Sequence, residues 1–222
     1  MASNLYWVNV AVLFLCLTWA SGMFYKYPSW ALAMLLPMLV WLMLDPLVKA
    51  LGNTLGEGST LQVLSYLCYL LRALATPFLL IIAFDQAKRA QVKWTSDPLV
   101  MLLLGVVILT LIVLGLVKGF IGIQMIITVV EGLKQYKEEE PLGLPLAAMI
   151  TMGVIALLGL GIFFKTHAPW LLFGGLIALA GLLIPASILP PFVLTTTSLA
   201  LVLGFLLTEI KLHKIALSPL TR

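Results

Sequence analysis

Long apolar runs broken by short polar ones dominate the chain. The runs fall at residues 6–23, 30–49, 60–89, 98–136, 142–164, 170–189 and 192–210. A helix needs about 20 apolar residues to cross the roughly 30 Å hydrocarbon core, and most of these runs reach that length. Trp7, Trp19, Phe24 and Tyr25 put aromatics near both ends of the first run, where amphipathic rings favour the headgroup layer. Pro37 interrupts the second run and Pro77 the third, so both helices are expected to bend. Gly, Asn and Ser fill residues 52–60, which reads as a loop. Residues 136–141 read as a solvated charged loop, KTHAP at 165–169 as a turn, and Pro190-Pro191 as a tight connection after Pro185.

The fourth run is too long for one crossing. As a helix, residues 98–136 would extend about 58 Å. Its second half places Gln124, Thr128, Glu131 and Gln135 at helical spacing. The expectation is one helix through much of this run, its part beyond Gly122 leaving the bilayer or lying along it with that face wet. Basic residues support the count. With seven crossings, Lys26, Lys88, Arg89, Lys93, Lys165, Lys211, Lys214 and Arg222 share one side. Lys49, Lys118, Lys134 and Lys137 share the other. Splitting the fourth run removes this bias. The expected fold is an all-α bundle of seven transmembrane helices, one domain over residues 1–222, N-terminus outside and C-terminus cytoplasmic.

Composition agrees. The chain is 62% hydrophobic and 10% charged, with mean hydropathy +1.14, against about 25% charged in soluble domains. The net charge of +4 sits at segment ends and suits an anionic inner leaflet, not nucleic acid. No cleavable signal peptide is expected, because no basic stretch precedes the first run. Cys16 and Cys68 lie inside apolar runs and suggest neither a disulfide framework nor a metal site.

Candidate chemistry gathers on the third run. Gln62, Ser65, Tyr69, Arg72 and Thr76 step by three and four, which puts them on one helix face. An arginine at mid-bilayer costs from about 2.5 to more than 10 kcal/mol, so it is expected to have partners. Asp45 and Asn9 fall in the same outer half of the bundle and are the expected ones. Asp85 is turned about 220° away from Arg72 on the same helix. The candidate ligand-binding set is therefore Arg72, Tyr69, Thr76, Ser65, Gln62, Asp45 and Asn9.

Other features read more plainly. Gly115, Gly119, Gly159, Gly161, Gly174, Gly175 and Gly181 suit close helix packing. The hydroxyls of Thr195, Thr196 and Thr197 are expected to bond back to their own helix. Catalysis has little to draw on. His167 and His213 lie in a turn and in the tail, the acids Asp45, Asp85, Glu131 and Glu209 are scattered, and no hydrolase motif occurs. Tyr69 followed by Thr76-Pro77-Phe78-Leu79-Leu80 resembles the third helix of microbial rhodopsins. Cys68, Tyr69, Leu70 and Leu71 stand where that family carries its Arg-Tyr-x-Asp run, and the last segment has no mid-membrane lysine, so no retinal Schiff base can form.

The expected function is binding or conducting a small amphipathic or anionic ligand, or an ion, around Arg72. The alternatives are an accessory subunit of a membrane complex and an intramembrane lipid-modifying enzyme. Expected partners are membrane lipids, a hydrophobic or amphipathic small ligand, and other copies or membrane subunits. No cofactor is indicated.

Overall fold

The computed structural model describes residues 2–121, 124–130, 132–138, 145–184 and 191–217. Eight helices, one short 3-10 turn at Lys93–Ser96 and one hairpin make up the described chain. The helices are α1 (Ala2–Lys26), α2 (Trp30–Ala50), α3 (Gly52–Leu55), α4 (Ser59–Arg89), α5 (Pro98–Gly119), α6 (Leu146–Thr166), α7 (Trp170–Leu183) and α8 (Pro191–Leu217). Among the described residues, α1, α2, α4, α5 and α6 are long and apolar enough to cross a membrane. The expected sixth and seventh crossings correspond to α7 and α8. α7 has 14 residues and spans about 21 Å, and it stops at Leu183, short of residue 189. Pro185 and Pro190 lie outside the described residues.

The fourth run departs from expectation. Its helix ends at Gly119, and residues 125–138 form an antiparallel hairpin of β1 (Met125–Val130) and β2 (Leu133–Glu138). The cause is legible in the residues. Ile126, Ile127, Thr128, Val129 and Val130 are all β-branched, and such side chains fit a pleated strand better than a helix. Val130 pairs with Leu133, which leaves a two-residue connection, and its Gly132 has φ 81. A positive φ is the backbone of a tight hairpin turn, and glycine adopts it without strain. The expected wet helical face therefore does not exist. Gln135, expected in water, is 5% exposed. Glu131 lies outside the described residues.

The hairpin stands on the outer ends of α2 and α4. Gly52 permits this: a Cβ there would lie 2.0 Å from the Lys134 carbonyl oxygen. The stretch expected as a loop thus holds the short α3, whose Asn53 closes the turn. The Asn53 amide donates to Gly132 O at 2.9 Å, and the Lys134 amide N–H donates to Asn53 Oδ1 at 3.0 Å. Lys134 also pairs with Glu57 at 3.0 Å.

The largest apolar cluster among the described residues joins α1, α2, α4, α5, α6, α7 and α8. Small residues let the last three approach closely. A Cβ on Gly174 would lie 2.8 Å from Ala200 O on α8, and one on Gly175 would lie 3.0 Å from the Ala156 backbone of α6. The glycines act in packing, as expected.

Candidate functional site

One long helix fixes the geometry. α4 has 31 residues, about 46 Å, so it exceeds the hydrocarbon core by roughly ten residues. Leu61, Ser65, Cys68, Thr76, Leu79 and Ala83 recur at three- and four-residue steps and are all buried. Arg72 belongs to this same buried face. Yet half of its side-chain surface is open, at 50%. Arg72 is thus an open position, here the Arg72 recess, in the middle of a packed face.

Asp45 reaches this recess from α2. Arg72 Nη2 donates to Asp45 Oδ1 at 3.0 Å, and Lys49 Nζ donates to Asp45 Oδ2 at 2.6 Å. The pairing of Arg72 with Asp45 follows the expectation from sequence. The guanidinium also lies 5.4 Å from the Tyr69 ring centroid, within cation–π range. Lys49 Nζ stands 6.0 Å from the ring of Tyr6, which is wholly buried. The cluster holds one carboxylate against two cations.

Neighbouring helix ends locate the cluster along the bundle. A Cβ on Gly115 would touch Ala73 O at 3.1 Å, so Ala73 is level with Gly115. α5 ends four residues later, at Gly119. Asp45 lies five residues before the end of α2 at Ala50. Both partners therefore sit about 6–8 Å along the helix axes from the Gly119 end of α5 and the Ala50 end of α2.

The other expected site residues divide. Ser65 is buried and its hydroxyl donates back to Leu61 O at 2.8 Å. Thr76 is buried one turn inward of Arg72, and Gln62 is half-buried beneath the hairpin end of α4. The five residues share a face, as expected, but that face is packed and only Arg72 opens from it. Asn9 is buried on the face of α1 that also carries Tyr6 and Leu13. Nothing is described of the Thr195 side chain.

A second polar cluster went unread in the sequence. Glu209 of α8 is 3% exposed and accepts four hydrogen bonds. Arg89 donates to it from Nη1 at 2.7 Å and Nη2 at 2.5 Å, Gln86 from Nε2 at 3.0 Å, and Ser29 from its hydroxyl at 2.7 Å. Asp85 pairs with Arg89 Nε at 2.9 Å, so its turn away from Arg72 serves another partner. Ser29 also caps α2 by accepting from Leu32 N at 3.2 Å. His213 is no free tail residue. It lies in α8, with its ring 3.7 Å from that of Tyr27. The available signal was an acid and an arginine closing two apolar runs on the same predicted side.

These two clusters have different chemistry. The Glu209 carboxylate is saturated by donors and closed to water, so it holds three helices together. The Arg72 side chain is half open, and its partner Asp45 is shared with Lys49. Among the described residues, no group of three or more His, Cys, Asp or Glu could hold a metal ion. Comparison with protein families, with curated proteins and with solved structures gives no match.

Proposed function

We propose that the chain is an integral membrane protein that binds, and by extension moves, a small amphipathic anion at the Arg72 recess. The observation that carries this reading is the half-open guanidinium on an otherwise buried helix face. An arginine within a membrane-length apolar helix is by default a site hypothesis. Asp45 offsets only one of the two cations beside it. Arg72 would bind the anionic group through its planar fork, Lys49 would add charge, and Tyr69 would hold the guanidinium in place. The same reading takes α7 and α8 as the remaining crossings, with the N-terminus outside and the C-terminus in the cytoplasm.

Native mass spectrometry of protein released from its own membranes tests the proposal. The wild type is expected to carry an acidic amphiphile that Arg72→Leu loses and Arg72→Lys retains only in part. Identical adduct spectra for wild type and Arg72→Leu would sink it.

One observation favours a second reading, an accessory subunit. Only 6% of the apolar window of α5 is buried, against 50% for α4. Leu102, Val106, Leu109 and Val113 present a broad aliphatic face that another membrane chain could cover. Isolation with a partner at fixed stoichiometry, lost on substitution of Leu102 and Leu109 by Ala, would favour that reading.

A further inference from the structure

We infer that the free edge of β1 pairs with β1 of a second copy of this chain, joining two hairpins into one four-stranded antiparallel sheet. The register fixes which backbone groups are free. Val130 pairs with Leu133 across the two-residue connection, and the closing pair of such a hairpin exchanges both backbone hydrogen bonds. Exchange alternates along the ladder, so it falls on Val130–Leu133, Thr128–Gln135 and Ile126–Lys137. The N–H and C=O groups of Met125, Ile127 and Val129 therefore point away from β2. On β2, the groups pointing away from β1 belong to Lys134, Tyr136 and Glu138.

The two edges of the hairpin differ. β2 is the strand that packs on α2, α3 and α4, and its outward Lys134 N–H donates to Asn53 Oδ1 at 3.0 Å. No hydrogen bond from another described residue reaches the outward groups of Met125, Ile127 or Val129. Val129 is 65% exposed. Nor is this edge guarded. Charged side chains, proline and bulges keep edge strands from pairing. Residues 125–130, MIITVV, hold no charge and no proline and run along β2 without a bulge.

These residues favour a second copy as the occupant. A two-fold interface sets a patch against itself, so a charged edge would repel its own copy. β1 is neutral throughout, and Lys134, Lys137 and Glu138 stand one strand back on β2. The outward residues are spaced evenly about Ile127. With the axis there, Ile127 meets its own copy and Met125 meets Val129 of the second copy. The pairing forms about six hydrogen bonds and satisfies every outward group of the three.

Cysteine cross-linking of the full chain in its own membranes tests the register, with the buried Cys16 and Cys68 replaced by Ala. Ile127→Cys sets two thiols across the axis, where paired Cα atoms lie about 5.5 Å apart and a disulfide can form. It is expected to give a covalent dimer on mild oxidation. Val129→Cys alone is expected to stay monomeric, because its copy lies about 14 Å away along the strand, and Met125→Cys combined with Val129→Cys should cross-link again. Ile127→Pro removes an outward N–H but no bond of the β1–β2 ladder, and Ile127→Lys sets like charges on the axis. Both are expected to shift the protein in mild detergent from dimer to monomer mass while the melting temperature holds. Equal cross-linking of the two single cysteine variants, a monomeric wild type, or a dimer that survives both Ile127 variants would overturn the pairing. A different chain bound to the wild type and released by Ile127→Lys would overturn the second copy as the occupant.

Discussion

At the scale of single residues, two arginines on one helix have opposite duties. Arg89 meets a carboxylate that is buried and fully hydrogen-bonded, and Arg72 meets one that it shares with Lys49 in an open recess. Removing one partner of a closed pair strands the other charge. Glu209→Ala is therefore expected to cost about 3–5 kcal/mol, while the double substitution Arg89→Leu with Glu209→Leu costs much less. Thermal unfolding in detergent, run as a double-mutant cycle, measures the difference, and additive losses would contradict the account. Arg72→Leu should behave the other way. It removes an exposed cation from a half-solvated pair, and such pairs are worth about 0–1 kcal/mol, so stability should change little while ligand retention falls. A fall in melting temperature as large as that of Glu209→Ala would recast Arg72 as a packing residue. The helical spacing that grouped Arg72 with Tyr69 and Thr76 was readable, and so was its match with Asp45. The Glu209 cluster was not, because its members lie more than a hundred residues apart and each alone resembles an ordinary helix end.

At the scale of elements, the hairpin was hidden by an apparent helical period. Gln124, Thr128, Glu131 and Gln135 fall at i, i+4, i+7 and i+11, but a run of five β-branched residues ahead of a Gly-containing turn carried more weight. The misreading had a consequence. With no hairpin expected, nothing was foreseen to cover the N-terminal turns of α4, which β2 packs against. Docking of the hairpin depends on Asn53 and Gly52. Asn53→Ala removes two hydrogen bonds across the turn and should cost about 1–2 kcal/mol, with faster amide exchange confined to residues 125–138. Gly52→Ala puts a methyl 2.0 Å from the Lys134 carbonyl and should displace the hairpin outright. Limited proteolysis at the hairpin reads that displacement, and unchanged cleavage would place its hold elsewhere.

At the scale of the molecule, α4 is the axis. Its N-terminal end lies under the hairpin, its middle carries the recess, and its C-terminal end meets α2 and α8 at Glu209. Class and membrane character followed from composition, since 62% hydrophobic residues with 10% charge leave little else. The proposed orientation, N-terminus outside, rests on where the basic residues gather. Cysteine at Ser96 should resist an impermeant reagent applied to intact cells, whereas cysteine at Thr54, beside the hairpin, should react. The reverse pattern would invert the topology and move the recess to the inner leaflet. The central claim is that the Arg72 recess is occupied by an anion. A cryo-electron microscopy map of the protein in its native lipids tests it most directly. The account predicts a headgroup-sized density within hydrogen-bonding distance of the Arg72 guanidinium, continuous with density in the bilayer and absent in Arg72→Leu. A recess filled by a helix of another subunit, or one identical in map and variant, would contradict it.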